Sequence, residues 1–207
     1  METCMTKNKI HICVDVDLTV VDPIFQPCGW IDYLNKMSKY PILYREKLTE
    51  EYNTNIPYNL GELYQDLTQD EVMSFWRSEN LYDKLEPYQD AVEVLVDLAN
   101  KGHYIVFASH AKHGHFKNKY QFLERHFGSK IPDSQWGYVA TKEKKFIKCD
   151  VIVDDRNDFL NQVDNSKVEL IKFKTPFEQH EALKNPVLTE TNNWFKIKEL
   201  IEEISGE

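Results

Sequence analysis

No stretch of this 207-residue chain approaches the roughly 20 consecutive apolar residues of a membrane-spanning helix. The opening residues, METCMTKNKI, hold no apolar core of the kind a secretory signal needs. The four cysteines, Cys4, Cys13, Cys28 and Cys149, are scattered, with no CxxC pair. That spacing indicates neither a disulfide framework nor a thiolate zinc site, and a reducing cytoplasm is the expected setting. There is no long basic run, and the net charge is −9. A non-specific binder of extended nucleic acid needs clustered Lys and Arg to displace phosphate counterions, so that class is excluded. A small anionic substrate is not, because a pocket needs only a few local cations. A P-loop kinase is excluded by the lack of its glycine-rich phosphate-binding sequence. Internal repeats and low-complexity tracts are also lacking. Oligomeric state stays open, a homodimer included.

What is present is an ordinary globular composition, 42% hydrophobic and 29% charged. The length suits one α/β domain, or a core with a modest insertion. Short apolar runs alternate with helical patterns, which predicts βα units and a parallel sheet. The run from His11 to Asp17 reads as a buried strand ending in acids. Strands are also predicted at Tyr104–Ser109, Trp136–Ala140, Val151–Asp155 and Val168–Phe173. Ala91, Val92, Val94, Leu95, Leu98 and Ala99 recur at helical spacing, with Gly102 as cap. Tyr120, Phe122, Leu123 and Phe127 predict a second helix that stops at Gly128. Trp194, Ile197, Leu200, Ile201 and Ile204 predict a last one. Residues 24–86 break this rhythm. They read mainly helical and aromatic-rich, too long for a simple loop, and are expected to pack as a small cap inserted after the first strand. Residues 1–23 and 87–207 would then form the core.

The strongest chemical signal is Asp15-Val-Asp17-Leu-Thr19, directly after an apolar strand. Paired carboxylates at a strand end repel, and a divalent cation relieves the repulsion. Ligands in open α/β sheets sit beyond the carboxyl ends of the strands, where these residues fall. The bland alternative is an Asp pair capping a turn. A second strand, Val151-Ile-Val, also ends in acids, Asp154 and Asp155. Two such ends supply the oxygens that Mg²⁺ prefers. Ser109 ends another strand, where a hydroxyl can bond a phosphate oxygen, and His110 follows it. Lys119 sits just before an apolar helical face, where it can neutralise phosphate charge and hold a nucleophilic carboxylate ionised. Lys112, Lys117, Lys144 and Lys145 are rivals for that place. His110, His113 and His115 raise a zinc reading, but their spacing is irregular and no cysteine completes a set. Most aromatics of residues 24–86 are expected to be core. Phe75, Trp76 and Tyr82 are the candidates to line a substrate pocket.

Taken in order, Asp-x-Asp-x-Thr, then Ser, then Lys, then an acidic pair resembles the haloacid dehalogenase superfamily. The resemblance implies an α/β fold with a Rossmann-like, doubly wound parallel sheet. Ser74-Phe-Trp-Arg-Ser-Glu-Asn80, Leu85-Glu-Pro87, Lys119 to Gly128, and Thr141 to Arg156 are similar to segments of the 5'(3')-deoxyribonucleotidases, in which the lysine opening the third of these is catalytic. The implied activity is hydrolysis of nucleoside monophosphates. Asp15 would be nucleophile and Asp17 general acid/base. Mg²⁺ would be held by Asp15, the Asp17 carbonyl and Asp155, with Asp154 behind. Ser109, Lys119 and His110 would meet the phosphate. The alternatives are a phosphatase for another small phosphomonoester or a nucleic-acid 3'-phosphate, and a catalytically silent domain that binds a partner. Leu18 stands where the family has glycine, His110 where its second motif has proline, and Pro23 near a base-holding aromatic.

Overall fold

A computed structural model of the chain describes residues 8–40, 45–53, 55–111 and 114–206. Lys112 and His113 lie outside the described residues. Six strands form one all-parallel sheet: β1 (His11–Asp15), β2 (Tyr104–Ser109), β3 (Trp136–Ala140), β4 (Val151–Asp154), β5 (Glu169–Phe173) and β6 (Thr189–Thr191). Their order is β3-β2-β1-β4-β5-β6, the doubly wound arrangement expected. The direction of winding reverses at β1, so a crevice opens at the carboxyl ends of β1, β2 and β4. Ile12, Cys13 and Val14 of β1 are fully buried, as a central strand covered on both faces must be.

Helices α4 (Gln89–Asn100), α5 (His115–Leu123), α6 (Asn157–Leu160) and α7 (Trp194–Ser205) surround the sheet. The apolar positions predicted for α4 are buried, and Gly102 closes it at φ +97°, where a side chain would be strained. In α5 the buried side includes Phe122 and Leu123. Tyr120, expected with them, is partly exposed and stacks on Trp136 instead. A π-turn over Glu124–Gly128 follows and brings Phe127 into the core. α7 packs on α4, with Asn193 capping its first turn.

Between β1 and α4 lie α1 (Trp30–Met37), α2 (Arg45–Tyr52) and α3 (Gln69–Ser74). Thr68 and Glu71 form a reciprocal capping box that starts α3. The Trp30 indole N–H donates to the Val72 carbonyl and ties α1 to α3. The apolar side chains of this segment share one hydrophobic cluster with those of the sheet.

β1 is shorter than its apolar run. After Asp15 the chain turns: Val20 and Val21 donate to the Val16 carbonyl, and Leu18 donates to the Val21 carbonyl. Val21 is bridged to Asp17 on one side and to Pro87 on the other, and Tyr88 N–H bonds the Val20 carbonyl. This turn places Leu18 at φ +63°, the left-handed region that favours glycine.

Candidate active site

β1 and β4 run side by side with Val14 opposite Val153, so Asp15 and Asp154 end neighbouring strands. Oxygens of Asp15, Asp154 and Asp155 lie within 4.8 Å of one another, all buried. Burial lifts the Asp15 carboxyl to about 6, partly offset by the Lys144 ammonium. Burial pushes Asp155 well above the usual carboxylate range, with the charges of Asp15 and Asp154 adding to it. Asp155 Oδ2 is buried without a hydrogen-bond partner. Both Asp154 oxygens are engaged, one by Lys144 and one by the Arg156 N–H. Three buried carboxylates with one orphaned oxygen and no nitrogen or sulfur donor fit a hard divalent cation.

The buried lysine that meets Asp15 is Lys144, with Nζ 2.6 Å from Oδ1. It also pairs with Asp154. The expectation that Lys119 would hold the Asp15 carboxylate is corrected here. The Lys119 ammonium, equally buried, bonds Ser109 Oγ at 2.7 Å and Asp17 Oδ2 at 2.7 Å. Lys144 was one of several lysines in Thr141–Phe146, and only its depth beside β4 distinguishes it from Lys142 and Lys145. A third lysine, Lys172 of β5, donates to the Asp155 carbonyl from below. Lys119, Lys144 and Lys172 thus meet Asp17, the Asp15–Asp154 pair and the Asp155 carbonyl in turn.

The Asp17 side chain does not join the acidic triad. Its second oxygen accepts from the Tyr82 hydroxyl at 2.6 Å. Ser109 and His110 line the same pocket, together with Leu18, Tyr82, His115 and Lys119. Trp76 lines it as well, but Phe75 does not. Phe75 packs edge-on behind Trp76 and against Tyr33, which corrects its assignment to the pocket wall. Ile24, Trp30, Tyr58, Met73, Arg156 and Phe159 complete the lining. The Arg156 guanidinium lies 4.3 Å over the Phe159 ring and is paired with Asp158. Trp30, Tyr58, Arg156 and Phe159 were not singled out by sequence, because nothing in their local pattern separates pocket from core. Of the three histidines, His110 and His115 line the pocket and His113 lies outside the described residues; the candidate metal-ligand group found among the described residues contains no histidine.

A profile of the family described as "5' nucleotidase, deoxy (Pyrimidine), cytosolic type C protein" matches residues 8–206. The mouse protein named 5'(3')-deoxyribonucleotidase, mitochondrial, is 28% identical over 186 residues, spanning 87% of this chain and 80% of that one. The human protein of the same name is 30% identical over 121 residues, 56% of this chain and 52% of that one. A solved haloacid dehalogenase-like hydrolase from Streptococcus pneumoniae superposes with a TM-score of 0.59 at 12% identity, covering 93% of this chain and 98% of that one, which bears on fold. With the family profile spanning nearly the whole chain, the protein belongs to the cytosolic type C 5'-nucleotidase family, phosphoric monoester hydrolases on a haloacid dehalogenase-like fold.

Proposed function

We propose that the chain hydrolyses nucleoside monophosphates, deoxyribonucleotides preferred, through a phosphoaspartate formed on Asp15 with Mg²⁺ as cofactor. The observation that carries this reading is the buried Asp15–Asp154–Asp155 triad with its unpartnered Asp155 oxygen, set beside Ser109, Lys119 and Asp17 in one pocket.

Asp15 attacks phosphorus, and the bond from phosphorus to the ester oxygen breaks. Asp17 gives its proton to the departing alkoxide. A water then surrenders a proton to Asp17 and attacks the phosphoaspartate, which returns Asp15 as carboxylate and frees phosphate. Ser109 and Lys119 hold the phosphoryl oxygens, where charge is concentrated. Asp15, Asp155 and the Asp17 carbonyl would hold Mg²⁺, which would neutralise carboxylate and phosphoryl charge. Lys144 keeps Asp15 ionised and aimed, which its position between Asp15 and Asp154 supports.

Residues 24–86 serve as the cap that encloses the leaving group. Trp30, Tyr58, Met73 and Trp76 offer it a largely apolar, aromatic surface, suited to a planar base. Free Cys13, Cys28 and Cys149 suit a reducing cytoplasm. The test is hydrolysis of nucleoside monophosphates and of p-nitrophenyl phosphate, each with MgCl₂ and with EDTA. Activity that needs Mg²⁺ and a higher kcat/KM for at least one deoxynucleotide are expected. If every nucleotide were no better than the aryl phosphate, the nucleotide assignment would fall.

A further inference from the structure

We propose that Tyr82 is a positioning residue for Asp17: its hydroxyl fixes the carboxylate that serves the leaving group, and so governs turnover of substrates whose leaving alcohol must be protonated. The inference rests on the phosphoaspartate reading above and adds to it a residue on the proton-transfer side.

Tyr82 lies outside the sheet, in the segment that leads toward α4, yet its ring is buried. Its backbone is fastened at both ends. The N–H donates to Asn118 Oδ1 at 2.7 Å, and the carbonyl accepts from Arg125 at 3.0 Å. Its ring packs against Phe122 and His115 of α5. Held by α5 and by Arg125 of the turn that follows it, the phenol has little freedom in where it puts its hydroxyl.

That hydroxyl meets Asp17 Oδ1 while Lys119 meets Oδ2, one donor for each oxygen. Two donors from different directions define the carboxylate plane, and one does not. Lys119 is also committed to Ser109, so it cannot follow Asp17 freely. The Asp17 side chain is 26% exposed, with room to rotate once one tether is gone. Burial, reinforced by the Asp17 charge, holds the Tyr82 phenol well above its ordinary value, so it stays a neutral donor and gives up no proton itself. Tyr82 also lines the pocket, so a role as substrate wall must be separated from a role in positioning.

The leaving group separates them. A nitrophenolate departs without a proton, whereas a nucleoside alkoxide does not. Tyr82→Phe keeps the ring and removes only the hydroxyl. The measurement is kcat/KM, which covers steps up to the phosphoaspartate. The loss on a nucleoside monophosphate should exceed the loss on p-nitrophenyl phosphate by roughly tenfold, the worth of one hydrogen bond to a charged group. Equal losses on both substrates, or no loss on either, would overturn the proposal. In an Asp17→Asn background the same change should cost nothing further on the nucleotide; an additional loss there would also overturn it. If the wild type cleaves the aryl phosphate but no nucleotide, the nucleotide reading has failed. β-Glycerophosphate, whose alkoxide also needs a proton, then takes the nucleotide's place in the same comparison.

Discussion

Mg²⁺ should stabilise this protein more as pH rises, and the size of the effect follows from the buried acids. An unfolded aspartate ionises near its ordinary 3.8, whereas folded Asp15 keeps its proton to about 6. Between those values the folded state binds the extra proton, so stability of the cation-free protein falls as pH climbs and levels off above the folded value. The span is roughly two units, and at about 1.4 kcal/mol per unit Asp15 alone costs about 3 kcal/mol at neutral pH. Asp155, also raised, adds in the same direction. A bound cation removes that cost. Asp97, lowered first of all by its hydrogen bond from Lys198, has the opposite slope at lower pH. That slope is shared by both forms and cancels when they are compared. Urea unfolding at about pH 5 and about pH 8, with saturating MgCl₂ and with EDTA, isolates the difference. Near pH 5 the proton competes with the cation for Asp15, so the Mg²⁺ increment there should be smaller by roughly 1.4 kcal/mol from this residue alone. An increment equal at both pH values, or larger at the lower one, refutes the reasoning.

Asp15→Asn should abolish turnover, because an amide cannot form the phosphoaspartate, and the loss is read directly as released phosphate. Asp17→Asn should lower kcat by on the order of 10²–10⁴-fold for nucleotides, measured against wild type at saturating substrate. Lys144→Met strands two buried carboxylates, and unfolding experiments without divalent cation should find it destabilised by roughly 3–5 kcal/mol; wild-type stability would mean the lysine is not their counterion. Trp76→Ala should lower kcat/KM for nucleotides more than for p-nitrophenyl phosphate, while Phe75→Ala should reduce thermal stability instead.

The acidic end of the sheet was readable because apolar runs that end in acids are a one-dimensional signature. β1, β2 and β4 are buried strands, and their last residues had to be polar and close together once the winding order was known. β6 was missed because Thr189-Glu-Thr191 has no apolar run; it is paired only along β5. Lys144 was ambiguous because sequence shows three nearby lysines and not which one is buried. The choice between Phe75 and Trp76 depends on rotational phase. α3 tightens into a 3₁₀ turn at Phe75–Arg77, and that turn sends adjacent aromatics to different sides. Leu18, where the family has glycine, holds the left-handed conformation anyway, at a cost of roughly 1–2 kcal/mol.

The bridge between Val21 and Pro87 brings together the two ends of the segment that runs from β1 to α4, and a second bridge, Ile56 to Phe177, ties its middle to the chain after β5. Everything between is a side excursion with pinned ends. The entropy of closing such an excursion grows slowly, about 0.6 kcal/mol for each doubling of length. Closure entropy therefore constrains its length only weakly, while its apolar side chains, packed in one cluster with those of the sheet, constrain its contents. The register of β1 against β2 and β4, and with it the placement of Asp15 beside Asp154, is set by strand pairing within the sheet itself.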